Sequence, residues 1–287
     1  MMLSGDHSGL RPAEPVFLTD KFPGLHAELM ALLRGLHRED WNRPTACALW
    51  SVKDITAHLL DTSIRRLSFG RDLLNPTPDI PIATYSELIG YLNRLNADWV
   101  AAARRLSPRV LIDLLDFTAA QVQRFLETLD PHSPALFPVA WAGEAMSPNW
   151  FDIAREYTER WLHQQQIREA VGAPGLTDPE WLRPTLDVFV RALPFTYRGV
   201  DAPGGLSIRF EILGKAGGIW TLMRKAAGWE LFVGSSVAPT AVVTMDEETA
   251  WKLFSKGLDR EAARQRIRLE GDRALGEPVL GSLAIMA

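Results

Sequence analysis

Glu159 and His163 stand four residues apart in the run Glu156-Tyr157-Thr158-Glu159-Arg160-Trp161-Leu162-His163. Residues at that spacing share one helix face. A carboxylate and an imidazole placed that way are half of a metal site. His58, about a hundred positions earlier, also falls in a helical pattern, among Ile55, Leu59 and Thr62. If the two helices pack together, the chain offers two nitrogen ligands and one oxygen ligand. That set holds a divalent cation and leaves coordination positions open for chemistry. Spacing alone leaves a plainer reading open: a simple Glu159–His163 pair, or a surface charge cluster with Arg160.

The other histidines are weaker candidates. His7 lies in a polar N-terminal stretch, His26 shares a helix with leucines, His37 sits at a helix end and His132 in a proline-rich loop. Only His58 and His163 fall mid-helix among apolar neighbours, and a lone histidine there is more often a hydrogen-bonded core residue than a ligand. The His-Glu-x-x-His pattern of zinc proteases is absent, and so is any Cys-x-x-Cys pair. Zinc suits a mixed nitrogen and oxygen site; nickel, iron and manganese stay open. Two histidines and a carboxylate also make the triad of iron oxygenases, though those triads usually ride on β-barrels.

The elements that must position these residues are legible in outline. Leu25, Leu29, Leu32, Leu33 and Leu36 recur at helical spacing over 22–36. Ser51 caps a second helix, with Asp54 completing a capping box and Trp50 stapling against Ile55; this helix carries His58 and reaches about Leu74. A proline-rich loop over 75–81 follows. Two more helices span about 85–106 and 107–129. After a loop over 130–148, in which Trp141 and Phe137 are candidate lining residues, a fifth helix from Asn149 carries Glu159 and His163. Gly172 ends it as a C′ glycine. A bridging helix over 179–193 precedes period-two alternation at 206–212, then strands at 219–223, 229–233, 241–245 and 267–270. Asp246 caps a helix between the last two strands, and a final helix runs from 272 to 286.

Bulk properties narrow the classes. The 287 residues carry a formal net charge of −4, and 47% of them are hydrophobic. A sizeable core can form, and no basic patch suggests a nucleic-acid partner. The single cysteine, Cys47, excludes an internal disulfide framework and fits a reducing, cytoplasmic setting. No apolar run approaches the length needed to cross a bilayer, so no membrane partner is expected.

The run Leu49-Trp50-Ser51-Val52-Lys53-Asp54-Ile55-Thr56-Ala57-His58-Leu59 resembles the start of the second helix in the DinB-like superfamily. It is closest to the branch of mycothiol-dependent maleylpyruvate isomerases, in which that run delivers the first metal histidine. Glu159-x-x-x-His163 is similar to the second and third ligands of the branch. Ala241-Val-Val-Thr-Met-Asp246, Thr249, Gly257, Gly271-Asp272 and Val279–Met286 resemble its second, sterol-carrier-protein-like domain. The likeness runs from about Phe17 to the end. Gln166 departs from it, since many members carry Asp at that place.

The resemblance implies an α+β chain of two domains. Residues 1–16 read as a disordered lead-in, 17–176 as an up-down-down-up four-helix bundle that binds metal, and 177–287 as a small sterol-carrier-protein-like α/β domain. His58, Glu159 and His163 become the ligands of a divalent metal, zinc first. A low-molecular-weight thiol, mycothiol or an analogue, binds as thiolate and attacks a small electrophile. Addition to a conjugated double bond, rotation and elimination give an isomerase; keeping the adduct gives an S-transferase. The expected state is a monomer or homodimer. The alternative is a non-catalytic metal- or lipid-binding protein with a vestigial site. Trp50 and Trp161 read mainly as core beside the ligands and Cys47 as packing. Arg209 and Arg224, on strands, are candidates to meet an anionic substrate, against the plainer reading of a solvated face.

Overall fold

The structure is a computed structural model that describes residues 9–75, 77–236 and 238–286. The chain divides into two compact units. A helical unit comprises Phe17–Leu136 and Pro148–Leu176; the other takes up Thr177–Met286, the insertion Phe137–Ser147 and the segment ending at Val16. The class is α+β.

The helical unit contains α1 (Phe22–Arg34), α2 (Val52–Arg65), α3 (Tyr85–Ala103), α4 (Pro108–Glu127) and α5 (Asn149–Val171). Their apolar stripes dictate the packing. Leu25, Leu29 and Leu33 of α1 are buried, as are Leu111, Leu115, Val122 and Leu126 of α4. α2 packs against α3, α4 and α5, while α1 packs against α4 and α5. A core cluster that includes Leu29, Leu33, Ile55, Leu59, Leu115 and Ile167 joins them. Gly172 closes α5 at φ +70°, a left-handed conformation that glycine adopts without steric cost.

The start of α2 matters most, because it sets the phase of the helix that carries His58. Ser51 Oγ accepts the Asp54 N–H at 3.3 Å, and the Asp54 carboxylate accepts the Ser51 N–H at 3.1 Å. This is the capping box read from the sequence. Trp50 packs on the cluster that contains Ile55. Ser51→Ala should lower stability by about 1 kcal/mol in denaturant unfolding; a variant as stable as the parent would contradict the role of the cap.

The far end of α2 differs from expectation. The α-helix stops at Arg65, and a π-helical stretch continues from Arg66 to Arg71. Such widened turns often mark functional segments. A Cβ at Gly70 would come within 2.7 Å of the Phe125 ring, so a larger residue would require that ring to shift where this turn approaches α4.

The second unit is a six-stranded sheet with helices. Its strands are β1 (Arg11–Pro12), β2 (Ser207–Leu213), β3 (Gly218–Arg224), β4 (Trp229–Val233), β5 (Ala241–Asp246) and β6 (Arg268–Gly271). They lie in the order β1-β4-β3-β2-β5-β6. Only β2 and β5 pair in parallel. Ile208, Phe210 and Ile212 alternate into the core, as do Ala241, Val243 and Met245. The helices are α6 (Pro179–Phe189), α7 (Leu193–Thr196), α8 (Glu247–Phe254), α9 (Arg260–Arg266) and α10 (Arg273–Gly276).

Three expectations are corrected here. Arg11 and Pro12 are an edge strand paired with Val233 and Phe232, not part of a disordered lead-in, and Arg191 donates to the Glu14 carbonyl. Residues 1–8 lie outside the described residues. The final helix is one turn, α10, followed by a 3₁₀ turn over Glu277–Gly281, because Pro278 and Gly281 interrupt it. α9, rich in charge and without an apolar period, was not expected. Phe137–Ser147 joins the sheet unit; within it Trp141 is buried and Phe137 is 40% exposed. None of the described helices is long and apolar enough to cross a membrane.

Candidate metal centre

Helix α5 carries Asp152, Glu156, Glu159, His163 and Gln166, spaced four, three, four and three residues apart. That rhythm keeps all five on one face. The facing helix is α2 with its π-helical extension. His58 meets Glu159, Ser63 meets Arg160, and Arg66 meets Asp152 and Glu156. His58 faces the later part of α5 while Arg66, further along, faces its start, so the two run antiparallel with their polar faces opposed.

At one end of this seam the structure brings together the three residues singled out from the sequence. His58 Nε2 lies 3.0 Å from Glu159 Oε1, and His163 Nε2 lies 3.1 Å from the same oxygen. One ligand atom from each of the three falls within 4.8 Å of the others. Bonds of about 2.0–2.2 Å to a shared ion put neighbouring donors roughly 3 Å apart, so the donor set fits a divalent cation. His58 Nδ1 is buried with no hydrogen-bond partner, although its ring is only 4% exposed. The orphaned Nδ1 leaves the hydrogen bonding of this buried imidazole incomplete among the described residues.

The surroundings are apolar on one side. The Trp50 ring lies 4.8 Å from the His58 ring and 6.2 Å from the His163 ring, centre to centre. His58 and His163 meet edge to face at 4.9 Å. The Glu159 side chain is 25% exposed, against 5% for His58 and 9% for His163, so it is the least buried of the three. Behind His163, Gln166 Oε1 accepts the Nδ1–H at 2.8 Å and the Cys47 S–H at 3.3 Å.

Electrostatics follow from this crowding. Burial pushes the His58 imidazole below its ordinary pKa. Burial would raise Glu159, but the charge and hydrogen bond of His163 and the hydrogen bond of His58 hold it well below the usual carboxylate range. Burial would lower His163, but the Glu159 charge and contact with Cys47 lift it to about 10. Without a cation, the surroundings favour the charged form of His163 and disfavour charge on His58.

One turn away, a buried charge network locks the two helices. The Arg66 guanidinium donates to Asp152 at 2.6 and 3.2 Å and to Glu156 at 3.2 Å. Arg155 closes on Asp152 and Arg160 on Glu156. Asp152 and Glu156 are 1% and 4% exposed. The sequence reading missed this network and the role of Gln166, although the four-three rhythm of polar residues along α5 was there to be read.

The remaining candidates fall elsewhere. His26 pairs with Asp116 at 3.0 Å on the surface of the helical unit. The backbones of His37 and His132 serve turns at Asp40 and Asp130. His7 lies outside the described residues. Trp161 is core, its indole donating to the Leu176 carbonyl. Arg209 pairs with Glu211 at 2.8 Å, and Arg224 donates to the Lys225 carbonyl, so both are engaged within the sheet unit.

Comparison with known proteins gives this geometry a context. No curated protein sequence matches the chain. Among solved structures, mycothiol-dependent maleylpyruvate isomerase shares the fold with a TM-score of 0.50, at 10% identity over 82% of this chain and 86% of that one. A mutant of that enzyme gives 0.50 at 11% identity with the same coverage. The family described as mycothiol maleylpyruvate isomerase N-terminal domain matches residues 22–168, about half of the 287 residues, and that span includes His58, Glu159, His163 and Gln166. On the strength of that match, the chain belongs to the mycothiol maleylpyruvate isomerase N-terminal domain family.

Proposed function

We propose that this protein is a metal-dependent enzyme that uses a low-molecular-weight thiol to isomerise, or to add to, a small electrophile. The observation that carries the proposal is the shared Glu159 oxygen, 3.0 Å from His58 Nε2 and 3.1 Å from His163 Nε2. Family membership supplies the rest. The related isomerase is named for mycothiol and maleylpyruvate, so a cysteine-based thiol and a conjugated acid with a double bond to isomerise are the first pair to test.

His58, Glu159 and His163 would hold the cation, with zinc the first choice for two nitrogens and an oxygen. When bound, a divalent cation lowers the pKa of a coordinating thiol so that it is a thiolate near neutral pH. The protein's own part is positional. Glu159 neutralises charge and is the least buried of the three donors. Trp50 covers both imidazoles and excludes water from that face, which strengthens electrostatics within. The Arg66 network holds α2 and α5 in register so that the three donors stay together.

The direct test is metal analysis of purified protein, followed by turnover of conjugated electrophiles with and without mycothiol, glutathione and cysteine. Stoichiometric metal with thiol-dependent turnover is expected. Stoichiometric metal with no thiol dependence would remove the enzymatic reading.

Metal binding must also depend on pH in a set direction. His163, facing Glu159 and Cys47, keeps its proton up to about pH 10 when no cation is present. The cation must displace that proton, so raising pH favours binding. Affinity should rise about tenfold per pH unit between roughly pH 6.5 and 9. Competition titrations against a chelator read the slope, and a flat profile would contradict it.

A further inference from the structure

We infer that Gln166 is a positioning residue for the metal centre, fixing His163 with its proton on Nδ1 and its Nε2 lone pair turned to the cation. The inference rests on the metal reading above and adds to it a residue that touches neither cation nor substrate.

Three observations carry it. First, the side-chain oxygen of Gln166 lies 2.8 Å from His163 Nδ1. An amide oxygen only accepts, so Nδ1 must donate. Nε2, on the far side of the ring, is then free to be a ligand once it gives up its hydrogen bond to Glu159. Second, the orientation of the amide serves two donors at once. The same oxygen lies 3.3 Å from Cys47 Sγ and can take its S–H. Flipping the group would require Nδ1 to accept and would turn the second N–H on sulfur, a weak acceptor. Third, the residue is held in place: Gln166 is 8% exposed and sits on the same face of α5 as Glu159 and His163.

His58 provides the contrast. Its Nδ1 has no hydrogen-bond partner among the described residues, while the Glu159 carboxylate draws its proton to Nε2, so that proton must move to Nδ1 when Nε2 takes a cation. The two imidazoles are thus unequal. His163 is set in advance, and His58 adapts.

Gln166 also anchors the cover of the site. Cys47 lies in the turn whose Trp50 N–H donates to the Cys47 carbonyl at 2.8 Å, while Thr45 N–H donates to the Trp50 carbonyl at 3.2 Å. The Cys47 S–H therefore hooks the Trp50-bearing turn to the acceptor that orients His163. One amide oxygen fixes a ligand and steadies the ring above it. Outer partners of metal-bound histidines commonly act this way, and their loss weakens binding about 10- to 100-fold.

The test uses the full-length protein, zinc alone as probe, and two variants. Gln166→Met keeps the length of the side chain and deletes the acceptor. Gln166→Glu keeps an acceptor at the same reach. Gln166→Met should bind zinc about 10- to 100-fold more weakly than the parent, and Gln166→Glu should restore at least parental affinity. In ¹⁵N NMR of the zinc-loaded parent, His163 should carry its proton on Nδ1. The NMR measurement needs no variant, so it decides even if Gln166→Met does not fold. Parental zinc affinity in Gln166→Met, weak binding in Gln166→Glu, or a His163 proton on Nε2 would overturn the inference while leaving the metal reading intact. A parent that binds no zinc would instead remove the metal reading, and the inference with it.

Discussion

His163→Ala should abolish stoichiometric zinc binding while the helical unit stays folded. Structural zinc sites gather roughly 10–16 kcal/mol from four ligands, so one ligand accounts for about 3 kcal/mol, or a factor of 100 to 1000 in affinity. The fold should survive because the core is built elsewhere. The cluster of Leu29, Leu33, Ile55, Leu59, Leu115 and Ile167 is aliphatic and does not depend on the imidazole. Glu159, freed from His163, keeps its contact with His58 and its access to solvent. Equilibrium dialysis gives the affinity and far-UV circular dichroism the fold. A variant that still holds one zinc with parental affinity would show that the ligand set is wrong.

Arg66→Met should be the most damaging single change to stability. The guanidinium is 5% exposed and serves two carboxylates that are more deeply buried still. Removing one partner of a buried ionic cluster strands the others and costs about 3–5 kcal/mol. Arg155 and Arg160 retain their contacts with Asp152 and Glu156, which places the expected loss at the lower end. The network also sets the acid limb. Burial would raise Asp152, but Arg155 and Arg66 pull it down to about 2. A carboxyl depressed on folding stabilises the native state above its ordinary pKa, and that contribution is lost as pH falls through the folded value. It is therefore intact above about pH 4 and gone near pH 2. Arg66→Met should shift the acid transition to higher pH as well as lower the denaturant midpoint. Replacing Arg66, Asp152 and Glu156 together with apolar residues should recover part of the loss. A single variant with unchanged unfolding would show that the seam between α2 and α5 is held by apolar packing alone.

What could be read from the sequence was what local rules determine. The Ser51 capping box, the leucine stripe of α1, the C′ glycine at 172 and the alternation of β2 all depend on near neighbours, and the structure contains them. The spacing of Glu159 and His163 is local too. Their meeting with His58 is not, since it depends on how α2 and α5 are turned toward each other. Helix placement raised it only on the condition that the two helices pack together, and the resemblance around Trp50 and His58 supplied that condition. The Arg66 network stayed hidden for the same reason: arginine and carboxylates on separate helices look like solvated charge until the helices are paired. Gln166 drew notice as a departure from a pattern, while its role lies in a contact with Cys47 across 119 positions. β1 escaped because a two-residue strand has no period and contains proline, which edge strands tolerate. The break-up of the last helix was foreseeable from Pro278 and Gly281, which should have outweighed the apolar spacing.

The central claim is that two imidazoles and one carboxylate gather around a single cation. X-ray absorption spectroscopy of the zinc-loaded protein, prepared without any added thiol, tests it most directly. The expected spectrum shows one zinc per chain with two histidine nitrogens and oxygen at about 2.0–2.2 Å and no sulfur. A sulfur shell near 2.3 Å, which only Cys47 or a methionine could provide, or a first shell with fewer than two imidazoles, would contradict it.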